Sequence, residues 1–150
     1  MRNPLAPALL ALLLTGGSAL GSGGVSCEAE DKTIRFSAQA GINNLGADFF
    51  SFKASLDILA PGTPKDFRKL DLSKSLTQRW FDNRNLKLRM YHERSAEPHG
   101  SVDLVIEAWP RKDDELEYRG GYVLTIFDLP RGTSEGKTTV LKGRVTCSVG

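Results

Sequence analysis

The stretch Val140-Leu141-Lys142-Gly143-Arg144-Val145-Thr146-Cys147 alternates between apolar or small residues and polar ones. This period of two is typical of a β-strand with one face in the core and the other in water. Leu141, Val145 and Cys147 share one parity, so the sulfur should lie on the core face. The only other cysteine is Cys27. The stretch therefore predicts a closing strand that a disulfide joins to the start of the domain.

The beginning of the chain has the pattern of a secretory signal peptide. Arg2 precedes an apolar run over residues 5–14, and small residues follow. The run is too short to span a bilayer, which takes about 20 apolar residues. We expect residues 1–23 to be removed on export to the periplasm or the cell exterior, and residues 24–150 to form one domain without a transmembrane segment.

Export decides how the cysteines are interpreted, because thiols pair and persist in an oxidising compartment. A Cys27–Cys147 bridge would close most of the mature chain into one loop, which the chain-entropy account values at about 5 kcal/mol. The alternative is a lipoprotein acylated on Cys27. The preceding Gly24-Val25-Ser26 lacks the leucine expected in a lipoprotein signal and disfavours this alternative, which would also leave Cys147 unpaired.

Period-two patterns recur along the mature chain and predict an all-β, mainly antiparallel fold. The pattern over residues 50–58 is the cleanest, with Phe50, Phe52, Ala54, Leu56 and Ile58 on the core face. Similar patterns cover residues 33–40, 86–93, 102–109, 121–127 and 139–147. Turn residues separate them at hairpin spacing, which is typical of a β-sandwich or small barrel of about six or seven strands.

Three finer expectations concern particular residues. Ser73 could cap a helix in which Leu76 and Trp80 lie four residues apart, so we expect one short helix at about 73–81. Gly143 interrupts the core face of the closing strand and predicts a bulge or a close approach. If the arms 86–93 and 102–109 pair with both apolar sets on one face, Lys87 or Arg89 comes opposite Glu107 and Trp109 comes within reach of Lys87.

Composition and motifs argue against several functional classes. The chain has 20 Lys and Arg against 18 Asp and Glu, interspersed, so no nucleic-acid partner is predicted. His92 and His99 are the only histidines and both cysteines are expected in the bridge, so we expect no metal site. Asp113-Asp114-Glu115 lacks the alternating ligands and the glycine of a calcium loop. Without a phosphate-binding loop or a nucleophile elbow, no cofactor and no catalytic residue is predicted.

Carboxylates offer one route to an enzyme. Glu93, Asp103 and Glu107 fall on one predicted face, as the acid and base of a hydrolase acting on cell-wall or extracellular polysaccharide would. The same carboxylates are equally explained as ion-pair partners of Lys87, Arg89 and Arg94, since exposed strand faces commonly carry such pairs. The ion-pair interpretation favours a non-catalytic role.

The remaining signal is a surface. Tryptophan, tyrosine and arginine are enriched at binding hot spots, and Arg89, Tyr91 and Trp109 share the outward parity of their strands. We therefore predict a contact patch of these three residues and a binding, adaptor or inhibitor-type envelope protein, whose partner is a cell-envelope or extracellular protein or a glycan. A structural envelope component is a further alternative. The general layout is similar to that of small periplasmic inhibitors such as lysozyme inhibitors, a likeness that transfers no residues.

Overall fold

A computed structural model describes residues 23–43, 48–82 and 84–150. Across these ranges the chain forms nine strands and no α-helix. The strands are β1 (Gly23–Glu30), β2 (Ile34–Ile42), β3 (Phe49–Ile58), β4 (Lys69–Asp71), β5 (Leu76–Phe81), β6 (Leu86–Glu93), β7 (Gly100–Pro110), β8 (Glu117–Asp128) and β9 (Lys137–Val149). One short 3₁₀ turn, Lys65–Phe67, precedes β4. The predicted signal peptide lies outside the described residues except for Gly23, and no helix in the described part is long and apolar enough to cross a membrane.

All nine strands belong to one antiparallel sheet that curls into a half-barrel. Their order is β4-β3-β2-β1-β9-β8-β7-β6-β5, so β4 and β5 form opposite edges although they follow each other in the chain. The backbone N–H of Leu72 donates to the carbonyl of Ala54 in β3 at 2.8 Å. The carbonyl of Ser75 accepts from the N–H of Tyr91 in β6, also at 2.8 Å. Residues 72–75 therefore join the two edges, which requires the sheet to curl.

The expected helix at 73–81 is wrong, as is the count of six or seven strands. The sandwich alternative is also wrong, because the nine strands form one curled sheet. Leu76–Phe81 forms β5 and pairs with β6 through a register shift between Leu76 and Gln78. Thr77, Trp80 and Phe81 favour a strand, and pairing with β6 satisfies the backbone polar groups that a helix would have bonded internally. Ser73 caps no helix, because its Oγ accepts the N–H of Ala54 at 3.2 Å.

The core lies on the concave face of the half-barrel and follows the predicted parity on most strands. Leu88, Leu104 and Ile106 are buried there, as is Tyr122 from β8. Phe67, from the 3₁₀ turn, is buried at one end of the half-barrel. Burial of a leucine or isoleucine side chain stabilises the fold by about 1.5–3 kcal/mol, so this inner face supplies the main driving force for folding.

The expected core face of residues 50–58 is correct only in part. Ala54, Leu56 and Ile58 are buried and Phe52 is half-buried, whereas Phe50 is 46% exposed. The register between β2 and β3 shifts between Gln39 and Gly41, and Ser51 adopts a φ of 53°. This β-bulge adds one residue to β3 and sends Phe50 to the outer face, where its ring covers Gly41.

The predicted disulfide is confirmed, and it lies on the core face. Cys27 and Cys147 are directly opposed in the ladder between β1 and β9, and both are buried. Their Cα atoms are 4.0 Å apart, closer than the commonest disulfide spacing of about 5.5–6 Å, because directly opposed residues in antiparallel strands can approach to about 4.5 Å. The ladder comprises only four residue pairs, Val25↔Val149 to Glu28↔Thr146, so the bridge reinforces a short junction.

Gly143 marks a close approach, as expected. A Cβ at this position would lie 2.5 Å from Cε1 of Tyr122, so the glycine makes room for the tyrosine ring. The Tyr122 hydroxyl donates to Oδ2 of Asp31 at 2.5 Å and lies 2.9 Å from Oγ1 of Thr33. Glycine at position 143 thus lets a side chain of β8 hold the turn between β1 and β2.

Candidate functional site

The outer faces of the two halves of the sheet differ in chemistry. On β1–β3 the outward side chains include Ser26, Ser37 and Ser55, and the hydroxyls of Ser37 and Ser55 lie 3.0 Å apart. On β5 and β7 the outward side chains include two tryptophans, Trp80 at 58% exposure and Trp109 at 49%. Because neither indole is part of the core, the outer face of β5–β8 is the candidate site.

The predicted patch is divided by the structure. Arg89 and Tyr91 are neighbours on the outer side of β6, and Tyr91 lies opposite Asp103 of β7. Trp109 is also on the outer side but lies opposite Arg119 of β8, about 20 Å along β7 from Asp103 at the usual rise of a strand. Arg89 and Tyr91 therefore come together, whereas Trp109 lies at the far end of the same face.

A shallow groove of about 570 Å³ crosses β5, β6 and β7 on this face. Its volume falls in the range usual for ligand sites, about 300–1,000 Å³. The groove includes Arg89 of the predicted patch. Its lining comprises Gln78, Arg79, Trp80, Lys87, Leu88, Arg89, Asp103, Val105 and Glu107.

Two ion pairs organise the groove. Arg89 donates from Nε to Oδ1 of Asp103 at 3.0 Å and from Nη2 to Oδ2 at 2.7 Å, and this hydrogen bonding raises the pKa of the guanidinium above its ordinary value. Lys87 Nζ lies 3.0 Å from Oε1 of Glu107, and the two residues are directly opposed, as one predicted register requires. Arg79, which also lines the groove, pairs with Asp48 outside it at 2.7 Å. Each charged side chain of the lining therefore has an ion-pair partner, and the groove presents fixed polar groups.

Trp80 lines the groove but lies outside the predicted patch of Arg89, Tyr91 and Trp109. It lies on β5 opposite Lys87, next to the register shift that reorients this edge strand. Nearby Asp82 has a lowered pKa, first because the backbone N–H of Asn85 donates to its carboxylate at 3.0 Å, and the backbone N–H of Arg84 also donates at 2.9 Å. The available signal was the strand preference of the residues from Thr77 to Phe81, which we had assigned to a helix.

The three carboxylates considered for hydrolysis all face outward, and each has a cationic or imidazole neighbour. Asp103 and Glu107 are held by Arg89 and Lys87, and Glu93 lies with Oε1 3.1 Å from Nδ1 of His99. A general acid or base needs an oxygen that is free to exchange a proton with the substrate. Ion pairing instead occupies oxygens of both carboxylates in the groove, which favours binding chemistry.

Arg94 was the third expected partner of these carboxylates, but it forms its ion pairs with other acidic residues. It donates to Asp66 at 2.6 Å and to Asp128 at 2.9 Å, and its guanidinium lies 4.6 Å from the centre of the Phe67 ring. Hydrogen bonding to Asp66 raises the pKa of Arg94. His92 packs edge-on against the same ring, with ring centres 6.3 Å apart. These contacts fix one end of the half-barrel and lie outside the groove.

Fold and site together define the class: a disulfide-closed antiparallel half-barrel with a polar and aromatic groove on its outer face. Comparisons with models of protein families, with curated proteins and with solved structures found no match to this chain. Among the described residues, no group of three or more histidine, cysteine and acidic side chains could hold a metal ion. The chemistry of the groove therefore has to be argued from its own side chains.

Proposed function

We propose that this is a non-catalytic binding protein of an oxidising, extracytoplasmic compartment, and that it engages an envelope or extracellular partner through the outer face of β5–β8. The observation that carries the proposal is the exposed Trp80 beside a groove with two fixed ion pairs. The buried disulfide supports the compartment, because such bonds persist where thiols are not kept reduced.

The outer face of the other half supports this interpretation. There the outer face carries Ser37 and Ser55 among charged side chains, and its exposed aromatic residue, Phe50, packs over Gly41. Trp80 instead lies opposite Lys87. An exposed indole keeps apolar surface in contact with water, and each Å² left exposed forgoes about 25 cal/mol of the free energy that burial would give. Contact with a partner would recover that free energy, and tryptophan and arginine are residue types that concentrate binding energy.

Hydrolysis of polysaccharide is the less supported alternative. The outward carboxylates considered for it lie in contact with Arg89, Lys87 and His99. A structural envelope component would give no reason for an exposed indole beside ordered ion pairs. Binding explains both features.

The test is affinity capture from the envelope fraction of the source cells, followed by identification of the retained proteins and glycans. The variant Trp80→Ala/Arg89→Ala should lose a partner that the unaltered protein retains. The matched control Ser37→Ala/Ser55→Ala changes the outer face of the other half and should retain it. Equal recovery by Trp80→Ala/Arg89→Ala and by the unaltered protein would remove the groove from the proposal.

A further inference from the structure

We propose that the groove on β5, β6 and β7 binds an uncharged saccharide chain, with Trp80 as the surface on which a sugar ring stacks. This inference rests on the proposed function, since it names the ligand of the same surface. It is carried by three properties of the groove: paired charges, hydrogen-bonding groups with capacity to spare, and one exposed aromatic ring.

The paired charges select a neutral ligand. An anion entering the groove would meet the carboxylates of Asp103 and Glu107. A cation would meet Arg79, Lys87 and Arg89, each already paired with a carboxylate. Either ion would have to displace a partner from an existing ion pair, for example from the bidentate pair between Arg89 and Asp103. A neutral ligand can add hydrogen bonds while both pairs stay intact.

Unused hydrogen-bonding capacity selects a ligand rich in hydroxyls. A guanidinium has five N–H donors, and Arg89 directs Nε and Nη2 at Asp103, which leaves Nη1 available. Gln78 lies opposite Arg89 and carries both an amide donor and a carbonyl acceptor. An apolar ligand would strip water from these groups without replacing its hydrogen bonds, which costs free energy. Hydroxyls donate and accept, so they match this mixed set.

The position of Trp80 selects a ring with one apolar face. The face of an indole is electron-rich, so it attracts the C–H groups on one face of a pyranose while the hydroxyls at the ring edge remain free. Lys87 is directly opposite Trp80, and neighbouring strands lie about 4.8 Å apart. A sugar stacked on the indole would therefore reach the pair Lys87–Glu107, and the next unit would reach Arg89–Asp103. A peptide would more readily add to a strand edge through its main chain.

The inference can be tested by tryptophan fluorescence, because the chain has only two tryptophans. The Trp109→Phe variant keeps Trp80 as the only indole. It is titrated with tetramers of β-1,4-linked N-acetylglucosamine, β-1,4-linked glucose, α-1,4-linked glucose and β-1,4-linked mannose, and with tetragalacturonate as the acidic counterpart. We expect at least one neutral tetramer to change the emission saturably, and tetragalacturonate to change it far less.

Titration calorimetry then compares the affinity of single variants, each made in the unaltered protein, for the responding tetramer. Trp80→Ala should weaken binding of the responding tetramer at least tenfold, Arg89→Ala should weaken it, and the control Ser37→Ala/Ser55→Ala on the other half should not change it. Absence of a response to all four neutral tetramers, preference for tetragalacturonate, or full affinity in Trp80→Ala would overturn the saccharide inference. The proposed function would survive those results if Trp80→Ala/Arg89→Ala still lost a captured partner, so the two failures can be told apart.

Discussion

The two halves of the sheet are alike inside and different outside. Strands β1–β4 and β5–β9 both direct alternate side chains into one core, for example Leu56 in the first half and Leu104 in the second. Outside, the first half carries serines and charged residues with Phe50 packed over Gly41, whereas the second carries the two exposed tryptophans, Trp80 and Trp109. Packing of the core therefore explains the inner face of both halves. The exposed tryptophans on the outer face of the second half need another explanation, and binding of a partner provides one.

If that division is correct, substitutions should separate the two roles. Changes at the junction and on the inner face should lower the free energy of unfolding, and changes on the outer face of β5–β7 should spare it while affecting binding.

Removing the disulfide should have the largest effect, because it releases the junction between the two halves. We expect Cys27→Ala/Cys147→Ala to lower the free energy of unfolding by about 2–5 kcal/mol, measured by urea denaturation. Adding a reductant should destabilise the unaltered protein to a similar extent and leave the double variant unchanged. An unaltered protein that keeps its midpoint in reductant would contradict a stabilising role for the bridge.

Truncation on the inner face should come next. Leu104 is fully buried, so Leu104→Ala should cost about 3 kcal/mol through lost burial and a residual cavity. Val123→Ala is the matched control, since Val123 lies on the outer side of β8 at 38% exposure and should cost less than about 1 kcal/mol. Similar losses from both substitutions would argue against the inner-outer division.

The turn between β1 and β2 should respond to pH. Burial alone would raise the pKa of Asp31, but hydrogen bonds from Thr33, Tyr122 and Ile34 lower it from 3.8 to about 2. A lowered folded-state pKa gives stability that is fully present above about pH 4 and is lost as the pH falls through about 2. Because Asp31 is exposed, we expect only about 1 kcal/mol.

Urea denaturation between pH 5 and pH 2 tests this contribution. The unaltered protein should lose more stability than Asp31→Asn, in which the carboxylate is absent at every pH. Glu28→Gln changes an exposed carboxylate on the same half and should behave like the unaltered protein. Parallel pH curves for the unaltered protein and Asp31→Asn would show that this carboxylate does not stabilise the fold.

The smallest change in stability should come from the groove. Trp80 is 58% exposed on an edge strand, so Trp80→Ala should change the free energy of unfolding by no more than about 0.5 kcal/mol. The same substitution should abolish retention of the partner in affinity capture. A loss of several kcal/mol would show that the indole serves the fold, and the contrast between the two outer faces would then lose its functional meaning.

Much of the fold could be predicted because strict alternation reports burial directly. This held for β6 and β7, where Leu88 and Ile106 are buried, and for the opposition of Lys87 and Glu107. It failed where one residue was added, as at Ser51, because a bulge shifts the parity without a signal in hydrophobicity.

The site was predictable in part for a related reason. Arg89 lies on a strand whose inward residues Leu88 and Met90 are buried, so its outward direction followed from parity. Trp80 lies on an edge strand where Gln78 and Arg79 are both exposed, so β5 has no buried parity to read. The pairing of β5 with β6 makes these residues a strand, and an edge strand exposed on both faces gives no hydrophobic signal of that pairing.

The short ladder between β1 and β9 also has a consequence for the order of folding. Every other pair of neighbouring strands is consecutive in the chain, so those contacts close only short loops and can form early. Pairing Cys27 with Cys147 must bring together residues separated by 120 positions, at a greater cost in chain entropy. During synthesis, β1 must therefore wait with an unpaired edge until β9 has been made, and only then can the first strand acquire its last neighbour.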